Sequence, residues 1–107
     1  MGKTKVTTFA EHLRILREDA QLSLREVAEK TGIDASLIGR IERSDRPPTK
    51  EQIRLFAKCF KSSEADMLKQ FLSDQIAYKM LEEEADISVL KVAEEKVKYL
   101  KTTNHGK

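Results

Sequence analysis

The chain has 107 residues, 39% of them apolar and 36% charged, with 20 Lys and Arg against 18 Asp and Glu, a formal net charge of +2. That length suits one ordinary domain with an appendage, and apolar residues recurring at helical spacing exclude a disordered chain except at the ends. No run approaches the roughly 20 apolar residues of a membrane span, and the opening MGKTKVTTFAEH lacks the apolar core of a signal peptide, so a cytoplasmic protein with no membrane partner is expected.

Thr8-Phe-Ala-Glu11 reads as a capping box, the hydroxyl accepting from the third backbone N–H while Glu11 reaches back. A first helix follows, with Phe9, Leu13, Leu16 and Ala20 spaced to lie along one buried face. Ser23-Leu-Arg-Glu26 is a second capping box, opening a short helix whose inner face is Leu24, Val27 and Ala28. Gly32 closes that helix by supplying the positive φ of a sharp turn. Asp34 caps a third helix, Ala35 to about Arg43, with Ile38 and Ile41 inward. A third box, Thr49 to Gln52, directly after Pro47-Pro48, starts a fourth helix carrying Ile53, Phe56, Ala57 and Phe60.

From Ser62 or Ser63 a longer helix presents Leu68, Phe71, Leu72, Ile76 and Met80. The run Glu82-Glu83-Glu84 sits badly at a helix C-terminus but well ahead of a new helix, so a break near residues 83 to 87 is expected, with a last helix after Asp86. That helix carries Leu90, Ala93, Val97 and Leu100 at heptad spacing, a stripe wider than one terminal helix hides alone. Residues 1–7 and the tail from Thr102 to 107, which includes His105 and Gly106, are expected to be flexible. With no alternating apolar and polar run of strand length, the fold class is all-α: a domain of four to five helices over residues 8–61 and a helical extension over 62–101.

The net charge hides an asymmetry. Through Lys61 there are thirteen basic against nine acidic residues, and from Ser62 onward seven against nine. The basic half is the better candidate for a polyanion surface. Lys3 and Lys5 either form an arm along a DNA backbone or are simply charged N-terminal residues. A lone cysteine excludes an internal disulfide, and Cys59, between Lys58 and Phe60, reads as a small hydrophobe. His12 and His105 stand at opposite ends of the chain without a carboxylate or cysteine at ligand spacing, and no phosphate loop or nucleophile motif occurs. An enzyme is not expected, nor a metal or other cofactor.

Within LREVAEKTGIDASLIGRIER, residues 24–43, a small residue at Ala28, a glycine at Gly32 and β-branched residues at Ile38 and Ile41 fall where two helices crossing through a tight turn need them. This is the geometry of a helix-turn-helix, whose second helix is held by its inner face alone and leaves its outer face for a DNA major groove. On the segments LRILRED, LSLREVAEKTGID, IGRIER and PTKEQI, in that order and at the usual spacing, residues 9–61 resemble the Xre family of helix-turn-helix regulators. That group includes the lambda and 434 phage repressors and the controller proteins of restriction-modification systems. Residues 62–101 have no counterpart in its short members, although some controller proteins carry extra C-terminal helices that join dimers.

The resemblance implies a lambda-repressor-like fold and roles at matching positions. Arg17 and Glu42 stand where the family often has a partly buried ion pair. Ala35, Ser36, Leu37, Gly39 and Arg40 match the base-facing positions of the recognition helix, and Ser23, Arg43 and Arg46 fall near the usual phosphate contacts. Arg40, the only long donor on that face, is the candidate for one guanine. Leu37 either covers a thymine methyl or belongs to the core. Leu24 stands where many members have a glutamine that steadies the DNA contacts, and Gln21 and Ser44 stand where glycine often closes the first and third helices.

The function so implied is a sequence-specific, dimeric transcriptional regulator, bacterial or phage, with double-stranded DNA bearing a palindromic operator as its partner. Dimerisation is assigned to residues 64–101, with Phe71, Ile76, Met80, Leu90, Val97 and Leu100 in the seam; the alternative is a monomer whose last helices fold back on Phe56 and Phe60. Glu26 and Glu29 are candidates for an acidic patch if the protein activates transcription. Two rival functions share the fold: an antitoxin whose extra helices bind a toxin partner and whose DNA binding is autoregulatory, and a protein-interaction adaptor that does not read DNA.

Overall fold

The computed structural model describes residues 6–104. Lys3, Lys5 and His105, named above as candidates, lie outside the described residues. Six helices follow in order: α1 (Phe9–Asp19), α2 (Leu24–Thr31), α3 (Ala35–Glu42), α4 (Lys50–Phe60), α5 (Glu64–Glu82) and α6 (Val89–Asn104). No strand occurs among the described residues, and the fold is all-α.

The helix starts are local chemistry. Thr8 with Glu11, Ser23 with Glu26 and Thr49 with Gln52 each make both hydrogen bonds of a capping box, which satisfies backbone N–H groups that helix geometry leaves without partners. Asp34 caps α3 through the N–H of Ser36. The helix ends are less comfortable. Gly32 closes α2 with φ of 80°, but Gln21, Ser44, Lys61 and Glu84 adopt φ of 58°, 64°, 53° and 53°. In each case the following residue donates its N–H to the carbonyl five positions back, from Leu22 to Arg17, Asp45 to Arg40, Ser62 to Ala57 and Ala85 to Met80. These are Schellman closures with a side chain where glycine is the unstrained choice.

Two compact units make up the chain, the first reaching to Asp74 and the second beginning at Gln75. The core of the first is Phe9, Leu13, Val27, Ile33, Ile38, Ile41, Ile53, Phe56, Ala57 and Met67. Ala20, expected on the buried face of α1, is exposed, because α1 stops at Asp19 and Ala20 serves as its C-cap. The unit boundary also differs from the expected one after Lys61. Met67 is fully buried, Leu68 and Phe71 pack on the core, and the Phe71 ring meets Phe9 edge-on with centroids 6.1 Å apart. Phe71 is therefore a packing residue of the first unit and not part of a free seam. One turn of α5 further on, the Asp74 carboxylate accepts the Phe9 N–H at 2.7 Å, supplying a partner and a negative charge at the N-terminus of α1.

In the second unit α5 ends at Glu82 and α6 begins at Val89, so the break falls where the acidic run placed it. The Asp86 carboxylate accepts both the N–H of Ser88, at 3.0 Å, and its hydroxyl. The tail expected to be flexible from Thr102 is instead helical through Asn104, and the Thr102 hydroxyl donates to the Tyr99 carbonyl at 2.7 Å.

Relief of the two left-handed closures in the first unit is directly testable. Gln21→Gly and Ser44→Gly are each expected to raise unfolding free energy by up to about 1 kcal/mol, the left-handed penalty less the added entropy of an unfolded glycine. Urea unfolding would show a higher midpoint at constant slope. A lower midpoint for either variant would mean that its side chain contributes more than its backbone costs.

Candidate nucleic-acid interface

The site is built on α2, the turn Gly32–Asp34 and α3. Among the described residues α3 packs against α2 and α1, and α2 also packs against α4. To this packing α3 contributes Ile38 and Ile41, both fully buried beside Val27. Removing such side chains from water contributes roughly 1.5 to 3 kcal/mol each. The turn is set by Thr31, whose hydroxyl donates to the Val27 carbonyl at 2.8 Å and accepts the Ile33 N–H at 3.1 Å. This buried polar residue escaped the sequence reading, since a threonine before Gly32 is ordinary without its partners.

A second restraint holds the far end of α3. Arg17 of α1 donates from Nε to Glu42 Oε2 at 2.7 Å and from Nη2 to Oε1 at 2.9 Å, while its Nη1 donates to the Leu22 carbonyl at 3.0 Å. The side chains are only 16% and 6% exposed. The hydrogen bonds to Glu42 hold the Arg17 guanidinium above its ordinary pKa against the opposing effect of burial. The structure thus brings together the two residues expected to pair, and adds the Leu22 carbonyl as a third contact that ties in the α1–α2 turn.

The residues expected to face bases differ in exposure. Ser36 and Arg40 are exposed, while Ala35 and Leu37 are half-buried, and Leu37 packs against the core cluster. Gly39 lies against neighbouring side chains. It is buried, and a Cβ there would lie 3.4 Å from Leu24 Cδ1 and 3.3 Å from Arg43 Nη1. Its role is the close approach of α2 to α3, with Leu24 filling the space beside it. That also accounts for Leu24 at a position where a polar donor was the familiar choice: here it is a packing residue.

Among the charged groups, Ser23 is occupied as the cap of α2, its oxygen accepting from the Glu26 N–H at 3.0 Å. Arg43 Nε sits 3.2 Å from Asp45 Oδ2, both largely exposed, a pairing of little energetic weight. Arg40 and Arg46 are exposed and form no ion pair among the described residues. Two further exposed cations, Arg25 in the first turn of α2 and Lys50 at the start of α4, were not singled out from sequence. At the head of α3 the Ser36 hydroxyl donates to Asp34. That bond first, and the Ser36 backbone N–H second, hold the Asp34 carboxyl below its ordinary value of 3.8.

No group of His, Cys, Asp or Glu among the described residues could hold a metal ion. Cys59 is half-buried, and desolvation pushes its thiol upward, away from reactivity.

A short helix, a glycine turn and a second helix clamped by its inner face, with serine and arginine outward, define a helix-turn-helix domain, a DNA-binding class. The family model described as a helix-turn-helix domain matches residues 8–68, more than half of the chain, and the chain belongs to that family. No curated protein and no solved structure matches the chain significantly.

Two outcomes follow from this geometry. Glu42→Ala strands the Arg17 guanidinium in a largely buried setting and is expected to cost about 3 kcal/mol, whereas Arg17→Met together with Glu42→Leu removes both charges and should cost less than the single change. A double change as costly as Glu42→Ala would show that the charge itself is not the source of the loss. For Asp34 the folded pKa is depressed, so its stabilising contribution is present above the unfolded value of 3.8 and is lost as pH falls through the folded one. A carbon-detected titration of Asp34 should therefore place its midpoint below 3.8; a midpoint at or above that value would show the Ser36 bonds to be absent in solution.

Proposed function

We propose that the protein is a homodimeric, sequence-specific transcriptional regulator of the Xre, lambda-repressor-like type, acting on a two-fold DNA operator. The observation that carries this reading is the outer face of α3, with Ser36 and Arg40 exposed on a helix whose inner face is fully engaged. Arg40 is the residue for bidentate recognition of guanine O6 and N7. With Gly39 buried and Leu37 half-buried, few side chains remain to read bases, so the shape and deformability of the operator supply the rest of the selectivity. Ser23, Arg43 and Arg46, joined by Arg25 and Lys50, hold phosphates and fix register.

One such domain buries little DNA surface, and useful affinity comes from two recognition helices on half-sites about 34 Å apart or a multiple of it. The second unit supplies the means. Ile76, Leu90, Val97 and Leu100 are 51%, 41%, 52% and 49% exposed, more apolar surface than isolated helices leave in water without a partner. Met80, assigned to the same seam, is half-buried. The extra helices also fit a controller of restriction-modification genes. The same stripe would equally seat a toxin, the specific observation that keeps the antitoxin reading alive, and co-purification of a small partner protein would favour it.

Selection from random duplex DNA at moderate salt, followed by sequencing, tests the function. An enriched inverted repeat is expected, and Arg40→Ala should relax the preference at one guanine and weaken binding by about 1 to 3 kcal/mol. Retention without a pattern, disappearing as salt rises, would reduce the reading to phosphate attraction alone.

A further inference from the structure

Every residue of α6 from Val89 to Thr103 is exposed, and its heptad stripe is Leu90, Ala93, Val97 and Leu100. Charge along this segment is strongly polarised. Glu82, Glu83, Glu84 and Asp86 precede the helix and Glu94 and Glu95 lie near its middle, with Lys91 as the single cation among them, while Lys96, Lys98 and Lys101 occupy its C-terminal half. Two segments laid side by side in the same direction would set acidic end beside acidic end and basic beside basic; laid in opposite directions, each basic end meets an acidic one. Side-chain size points the same way. In the opposed arrangement Leu90 meets Leu100 and Ala93 meets Val97, which avoids the Ala93–Ala93 layer of the parallel arrangement and the larger gap it would leave.

We infer that α6 is the seam of a homodimer in which the two copies of the helix run antiparallel about a two-fold axis near Glu95. The inference rests on the dimer reading given above and specifies its geometry. In an antiparallel seam the N-termini of the two α6 helices lie at opposite ends of the pair.

Cross-linking in the full-length chain carrying Cys59→Ser tests it. Chains bearing Leu90→Cys are mixed with tagged chains bearing Leu100→Cys and oxidised gently. An antiparallel seam gives the mixed 90-to-100 bridge, because only there do the Cα atoms come within the roughly 4.4 to 6.8 Å that a disulfide spans. Charge reversal reads the same geometry without cysteines. Lys101→Glu, at the end that lies beside the partner's Asp86 in the opposed arrangement, should raise the dimer dissociation constant about three-fold.

The outcomes separate cleanly. Bridges at 90-to-90 and 100-to-100, with no response to charge reversal, would keep the dimer and overturn its antiparallel seam. A dimer bridged at none of these positions would move the interface off α6 and likewise overturn the inference. Sedimentation showing a monomer at all concentrations, with unmodified chain, would overturn the dimer reading itself.

Discussion

The contact between Arg17 and Glu42 organises the helix-turn-helix. Glu42 ends α3, Arg17 lies in the last turn of α1, and the third guanidinium bond reaches the Leu22 carbonyl in the turn leading to α2. One side chain thus fixes three segments. Hydrophobic burial of Ile38 and Ile41 holds α3 inward, but burial is non-directional and would tolerate rotation or sliding of the helix. The planar, bidentate fork is directional. Because both partners are largely buried, screening by salt weakens the pair little, so α3 keeps its orientation as ionic conditions change.

That orientation leaves a narrow outward face. Gly39 is committed to the approach of α2 and Leu37 leans into the core. Seating the helix tightly therefore leaves few of its side chains exposed, Ser36 and Arg40 among them. Asp34 adds an opposing influence, since its carboxylate lies at the positive end of α3 and partly offsets the attraction of that end for phosphate.

Helix α5 has two distinct characters along its length. Its first turns complete the core through Met67 and pair Phe71 with Phe9, and Asp74 closes the N-terminus of α1. Beyond Asp74, Ile76, Tyr78 and Leu81 are exposed, while Met80 is half-buried. No periodicity argument could separate these portions, because Phe71 and Ile76 look alike in sequence; only the position of Phe9 decides that one is packed and the other exposed. The hydrogen bond from Phe9 to Asp74 was equally illegible, since it joins residues far apart in the chain through a backbone group present at every position.

The sequence by itself determined the helices, their starts and the helix-turn-helix. Capping boxes at Thr8, Ser23 and Thr49, the cap at Asp34 and the glycine at Gly32 act within three or four residues, and such local hydrogen bonding does not depend on the rest of the fold. Tertiary structure decided the positions that helical periodicity left open. Gly39 is buried with Leu24 as its neighbour, and Phe71 packs on the first core. The physical reason is the same in each case: exposure depends on what lies across the gap, and neighbours across a gap are set by packing many residues at once, which local pattern does not encode.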